Sequence, residues 1–529
     1  MALSTARCAS LLSLLLLGAV APACSDGAGS QDDDLTSVRA QSRKLTFEGI
    51  VYVEPGTSDT QILSAVHKQT QSMFGALRTS EIGVNKRELK GVDPATFVKR
   101  EVTVVDTDVE GDAGEAMVEV RYKYEDMAVV PKTMSKKSTL KAALLRPDYG
   151  SETSRILEEC TSNDEEAQEF ASSIWYVFEP RLSSCQEAIR AEQKLVDAAR
   201  DALTEAETQV SVAEARRLYL PVTVQLGKDQ SNKRKSYPEY DRLYSGGVKD
   251  GKLVISLING LIDHDSHAGG IREDSGYGEW LDTLAEAFAV HPGYQLVEVE
   301  GGDDVGSYTL ESGKQVDGLT FPDFIAMEDG SGFPEGLEYE EREELMRLVG
   351  ERVTNRWLTF EAPLQVTIGD EAPRDLGIQI TTFMGSAGTT KPFKHAIANS
   401  DVFLYNGHSQ IGFGPLDPKN FSASDFPESY QILFVDGCVS YNYYEADYIP
   451  LKVGGTKNLD LITNAVESPA WRSGYALGEF IAKLTDGSLP TYLELLQSAE
   501  ATGSGLRVVD GELDNEYDPS ETGIELSGE

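Results

Sequence analysis

The chain has 529 residues, with 47 Lys and Arg against 87 Asp and Glu and a formal charge of −40. That length is too great for one ordinary core and, at about 150 residues per domain, predicts roughly three units. The acid is spread along the chain, which reads as a solvated surface and excludes the basic stripe that nucleic-acid binding requires, so no nucleic-acid partner is expected.

Residues 1–23 read as an export signal. Arg7 precedes an apolar core at Leu11–Leu17, and Ala21-Pro22-Ala23 supplies small residues for cleavage. The apolar run is too short to span a bilayer, and no other segment is long and apolar enough. Cys24 follows directly, and this arrangement resembles the bacterial lipoprotein signal, although Ala21 stands where Leu or a similar residue is usual. The resemblance implies lipidation at Cys24 and a protein anchored in the bacterial cell envelope, touching the membrane only through its lipid; plain secretion is the alternative. Residues 24–45, with Gln31-Asp32-Asp33-Asp34, read as a flexible tether.

Residues 46–210 read as an α+β accessory domain. Strands are expected at Lys44–Val53, Val102–Val105, Met117–Tyr124 and Ser173–Phe178. A helix capped by Asp59 runs to about Leu77, and an Ala-rich one from Gln186 to about Thr208. Cys160 and Cys185 are close in sequence in an exported protein and are expected to pair as a disulfide. Cys8 leaves with the signal. Cys438 is then unpartnered, which makes it either an inert core thiol or a nucleophile.

Residues 216–360 form either the first half of a catalytic sheet or an intermediate domain. Strands are expected at Leu218–Val224, Lys252–Ile258 and Tyr294–Val299. Helices are expected at Trp280–Val290 and Glu338–Arg356. The order strand, helix, strand suggests a βαβ unit. Residues 361–510 are the clearest α/β region. Strands are expected at Ile378–Phe383 and Leu459–Ala465, with helices at Lys391–Asn399 and Trp471–Leu484. Residues 511–529 read as an acidic tail.

Two blocks stand out within 361–510. Val402-Phe403-Leu404-Tyr405 leads through Asn406-Gly407 to His408, and Ile432-Leu433-Phe434-Val435 leads through Asp436-Gly437 to Cys438. Four apolar residues in a row suit a strand buried on both faces in a parallel sheet. Reactive groups in such sheets lie just beyond the carboxyl ends of the strands. Neighbouring strands would set an imidazole and a thiol on one rim, the pair needed for thiolate catalysis.

Tyr405-Asn406-Gly407-His408-Ser409 and Asp436-Gly437-Cys438 resemble the His and Cys motifs of caspase-like cysteine peptidases, the group of caspases, metacaspases and gingipains. The resemblance implies an α/β fold with a mostly parallel sheet flanked by helices. It implies His408 as general base, Cys438 as nucleophile, and the N–H groups of Cys438 and Ser409 as oxyanion donors. Ser409 stands where the family usually has Gly, and a positive φ there would strain it. Asp436 matches an acidic residue that in metacaspases selects Arg or Lys beside the cut bond; its alternative role is to cap the following helix.

Other clusters are weaker. Asp263-His264-Asp265-Ser266-His267 offers metal-ligand types without a matching second motif. Asp510 to Asp518 offers oxygen ligands without EF-hand spacing. Gly385 to Lys391 lacks phosphate-loop spacing. No metal or cofactor is expected. Tyr441, Tyr443, Tyr444 and Tyr448 suit either a groove wall or core packing. Two function classes follow: an exported cysteine endopeptidase acting on peptides or proteins, or a silent surface lipoprotein with a binding or envelope role.

Overall fold

Strands that alternate apolar and polar residues make up most of one sheet, and strands with unbroken apolar runs form the centre of another. The computed structural model describes residues 35–527 apart from 163, 204, 206, 264–269, 292, 387, 470–472, 502 and 504. The expected export signal and Cys24 lie outside the described residues. The architecture is mixed α/β, with two large mixed sheets flanked by helices.

The first sheet uses β1 (Ala40–Val53), β2 (Val98–Val105), β3 (Glu115–Pro131), β4 (Thr139–Leu145), β5 (Gln209–Ser211) and β6 (Tyr219–Asp229). Their order is β4-β6-β1-β3-β2-β5, with Gly83–Val84 added beside β3. β6 pairs with both β1 and β4, so the expected boundary near residues 210–216 falls inside this sheet. The half-exposed alternation of β6 suits an antiparallel strand with one wet face. The expected helix from Asp59 is broken into α1 (Asp59–Gln71) and α2 (Met73–Arg78) at Ser72, whose hydroxyl bonds back to the Gln69 carbonyl. Ser173–Phe178 is not a strand: Ile174–Val177 is a four-residue helix with all four side chains buried. A run apolar on every side has no period to separate strand from helix. Cys160 and Cys185 are joined by a disulfide.

The second sheet uses β7 (Lys252–Gly260), β8 (Gln295–Val299), β9 (Trp357–Ile368), β10 (Arg374–Gly385), β11 (Val402–Asn406), β12 (Gln431–Asp436), β13 (Leu459–Asn464), β14 (Arg507–Asp510) and β15 (Ile524–Ser527). Its order is β14-β13-β12-β11-β7-β10-β9-β15, with β8 also on β9. The five central strands, β13 to β10 in that order, are parallel, and antiparallel strands close both edges. β8 is not the parallel neighbour of β7 that a βαβ unit requires; it runs antiparallel to β9 at the far edge. The expected acidic tail is folded in part, because β15 completes the sheet beside β9.

Helices α3 (Ser275–Val290) and α5 (Ser473–Thr485) cover one face of the second sheet, and between them in sequence α4 (Tyr441–Tyr448) follows β12. Residues of the first sheet pack on the other face. One continuous apolar cluster holds Leu45, Phe47 and Tyr124 together with Phe403, Tyr405, Leu433 and Val435. The first sheet thus shares a core with the strands that lead to His408 and Cys438. Among the described residues no helix is long and apolar enough to cross a membrane.

Candidate active site

Parallel strands bring all their carboxyl ends to one rim. β11 and β12 are buried at every residue and pair in register from Val402↔Ile432 to Asn406↔Asp436. His408 and Cys438 each lie two residues beyond that last pair. Their turns abut: a Cβ on Gly437 would lie 3.1 Å from the Gly407 carbonyl oxygen and 3.4 Å from the Ser409 nitrogen. Gly407 has φ +153°, and a Cβ there would lie 2.5 Å from the Tyr405 hydroxyl, so only glycine fits. That hydroxyl donates to the His408 carbonyl at 2.9 Å and fixes the turn.

His408 Nε2 lies 2.7 Å from the Ile262 carbonyl, on the loop after β7. A carbonyl only accepts, so Nε2 carries the hydrogen of this bond. The Cys438 thiol donates to the Ser468 carbonyl at 3.8 Å, on the loop after β13. The two side chains therefore bond in opposite directions along the rim, His408 toward β7 and Cys438 toward β13. Burial raises the thiol's pKa; the bond to Ser468 opposes this, Glu467 and Asp436 add to the rise, and Arg78 lowers it.

Ser409 has φ −76° and ψ −13°, open to any L-residue, so serine in place of glycine brings no strain. The strain lies one residue further on. Gln410 (φ 49°) and Ile411 (φ 46°) follow the His turn, and Val439 (φ 53°) follows Cys438. A β-branched residue at positive φ is a rare and costly conformation, and such residues gather at functional sites. Among the described residues the N–H groups of Ser409 and Cys438 enter no backbone hydrogen bond, as oxyanion donors must not.

Asp436 departs from its expected substrate-binding role. Its side chain is fully buried, and its carboxylate holds Arg507 Nη2 at 2.6 Å and accepts from the Ser468 hydroxyl at 3.4 Å. It does not cap the following helix either, since the residue at the head of α4 is Ser440. Asp436 belongs instead to a buried polar row across the rim: Asn259 pairs with Asn406, Asn406 with Asp436, and Asn464 with Arg507. Glu279 of α3 joins this row, accepting from the Gly474 N–H, and burial pushes its carboxyl up to about 8.

The tyrosines after Cys438 are core residues. Tyr444 donates to the Ser409 carbonyl at 2.8 Å and Tyr448 to the Leu416 carbonyl at 2.6 Å. Tyr443 stacks on Phe74 of α2. Residues of the 46–210 region, which in sequence suggest no chemistry, also reach the site. Arg78 pairs with Glu467, beside Ser468. Arg87 donates to the Ile411 carbonyl at 3.2 Å and lies 3.8 Å over the Phe413 ring. Neither arginine carries a motif; only the packing of the two sheets brings them here.

His264 and His267 lie outside the described residues, while Asp263 accepts from the Ser275 hydroxyl and N–H at the start of α3. Asp510 and Glu512 are buried, not solvated. Among the described residues no three His, Cys, Asp or Glu side chains are grouped to hold a metal ion. Compared with protein-family models, with curated proteins and with solved structures, the chain matches none.

Proposed function

We propose that the chain is a caspase-like cysteine peptidase with Cys438 as nucleophile and His408 as base. The observation that carries this reading is the in-register parallel pair β11 and β12, each leading through a glycine turn to its reactive residue at the same depth. To react, the sulfur rotates away from the Ser468 carbonyl, a weak contact of second-order energy. The thiol proton passes to His408 Nδ1 as sulfur bonds to the substrate carbonyl carbon, and the carbonyl electrons move to oxygen. The Ser409 and Cys438 N–H groups hold that oxyanion, each such donor contributing about 3 kcal/mol. Collapse expels the amine, which takes the proton back from the imidazolium. Water, deprotonated at Nδ1, then hydrolyses the thioester. Preference for Arg or Lys forms no part of the proposal, because Arg507 already neutralises Asp436.

A peptidyl acyloxymethyl ketone should form one adduct, at Cys438, and none in Cys438→Ser. His408→Ala should slow labelling about 100-fold or more, the usual range for a lost general base. Folded protein with an unreactive Cys438 would favour the second reading, a silent binding or envelope protein. The observation behind that reading is the thiol's bond to the Ser468 carbonyl together with the burial that raises its pKa.

The proposal includes export with a lipid anchor at Cys24. The Cys160–Cys185 bond supports export, since disulfides persist in oxidising compartments. Expressed in a bacterial host, the chain should partition into detergent and incorporate a labelled fatty acid; Cys24→Ser should do neither. A Cys24→Ser protein that still takes up label would remove the anchor from this residue.

A further inference from the structure

We propose that Arg78, delivered by α2 beneath the first sheet, is a positioning residue of the cysteine site: it neutralises Glu467 beside the thiol and holds the segment Val466–Ser468 against the cysteine turn. The inference rests on Cys438 being the reactive group.

Three contacts join that segment to the turn. Val439 N–H donates to the Val466 carbonyl at 2.8 Å, Cys438 to the Ser468 carbonyl, and the Ser468 hydroxyl to Asp436. Glu467 lies between the residues making them, and its carboxylate is held by Arg78. The arginine is itself fixed. Its side chain is 5 % exposed, and its guanidinium lies 4.2 Å over the Tyr176 ring. Tyr176 is on the short helix Ile174–Val177, whose neighbour Trp175 packs edge-on against Phe74 of α2 at 5.0 Å. The cation thus arrives on a packed platform and not on a mobile surface arm. Glu467 itself is 57 % exposed, so the order in the pair comes from the buried guanidinium, whose planar, always-charged head an ammonium would not reproduce.

The groups around the sulfur explain why this matters. Glu467 and Asp436 are the two carboxyl groups that raise the thiol's pKa, after burial. Arg507 occupies Asp436. His408 is on the adjacent turn. Arg78 is then the cation answering Glu467, as Arg507 answers Asp436. Without it, a carboxylate would oppose the thiolate on which nucleophilic attack depends.

The test is the pH dependence of Cys438 alkylation by iodoacetamide in the full chain, with Cys160 and Cys185 left paired. Arg78→Gln should move the midpoint up and slow alkylation at neutral pH about 3- to 10-fold, corresponding to a half to one unit of thiol ionisation. Glu467→Gln breaks the same ion pair but should move the midpoint down. Arg78→Gln with Glu467→Gln should return near the starting profile, and Arg78→Lys should lie between. A role confined to packing predicts changes of one sign from either single substitution, and that result would overturn the proposal, as would an unmoved profile in Arg78→Gln. Iodoacetamide needs no peptide substrate. Opposite shifts without peptide cleavage would therefore keep this inference while removing the peptidase reading.

Discussion

Arg507→Met should be among the most damaging single substitutions in the chain, with a loss of about 3–5 kcal/mol expected for breaking one side of a buried ion pair. Arg507 and Asp436 both have fully buried side chains, with Nη2 and carboxylate oxygen 2.6 Å apart. Methionine fills much of the arginine's volume but leaves Asp436 charged and unanswered, two residues before Cys438. The cost comes from that stranded charge more than from the lost attraction. Asp436→Asn in the Arg507→Met background should therefore recover more than half of the loss, read from the urea midpoint. The arginine makes other contacts, with its guanidinium 5.8 Å from the Phe434 ring and its backbone N–H on Glu500, but methionine keeps the backbone bond. A loss below about 1 kcal/mol, or a double variant no better than Arg507→Met, would show that the pair does not organise the rim.

This ion pair also marks where sequence reading fails. The strands of the parallel core are legible because burial on both faces writes itself as consecutive apolar residues: Val402–Tyr405, Ile432–Val435 and Lys252–Ile258 all lie on central strands. The glycine turns after them are legible for the same local reason. Asp436 looks free in sequence because its partner Arg507 is on β14, a segment where no strand is expected. β14 and β15 are short edge strands of four residues each, below the length at which alternation is informative. Trp357–Ile368 is missed because it mixes Glu361, Pro363 and Gln365 into an outer strand whose neighbours tolerate them. Arg78 and Arg87 are invisible for a different reason. Their role exists only once one sheet packs on the other, and no spacing along the chain records that contact.

The folded protein should be more stable in weak acid than at neutral pH, reversing the order seen when carboxylates are held by cations. Burial pushes Asp401 up to about 6, Asp460 and Glu500 to about 7, and Glu279 to about 8. In the unfolded chain such groups ionise near 4. Between those limits the native state keeps protons that the unfolded state has released, so stability falls as pH rises. The contribution is whole below pH 4 and drains away through pH 6 to 8. Discounting the nominal shifts for relaxation, the loss from pH 5 to pH 7.5 should be on the order of 5 kcal/mol, or roughly 5 °C in melting temperature for a chain this long. Lys452, pushed down to about 7 by burial, acts oppositely, but mainly above pH 7, where the unfolded lysine stays protonated and the native one does not. Differential scanning calorimetry at the two pH values checks the sign. Glu279→Gln should match the parent at pH 5 and lose less between pH 7 and 8. A melting temperature that rises from pH 5 to 7.5 would mean that the buried carboxyls are ionised and paired. The Cys438 thiol, also raised by burial, follows the same sign: the fold favours its neutral form, while nucleophilic attack needs the thiolate. Stability and thiol reactivity should therefore move in opposite directions with pH.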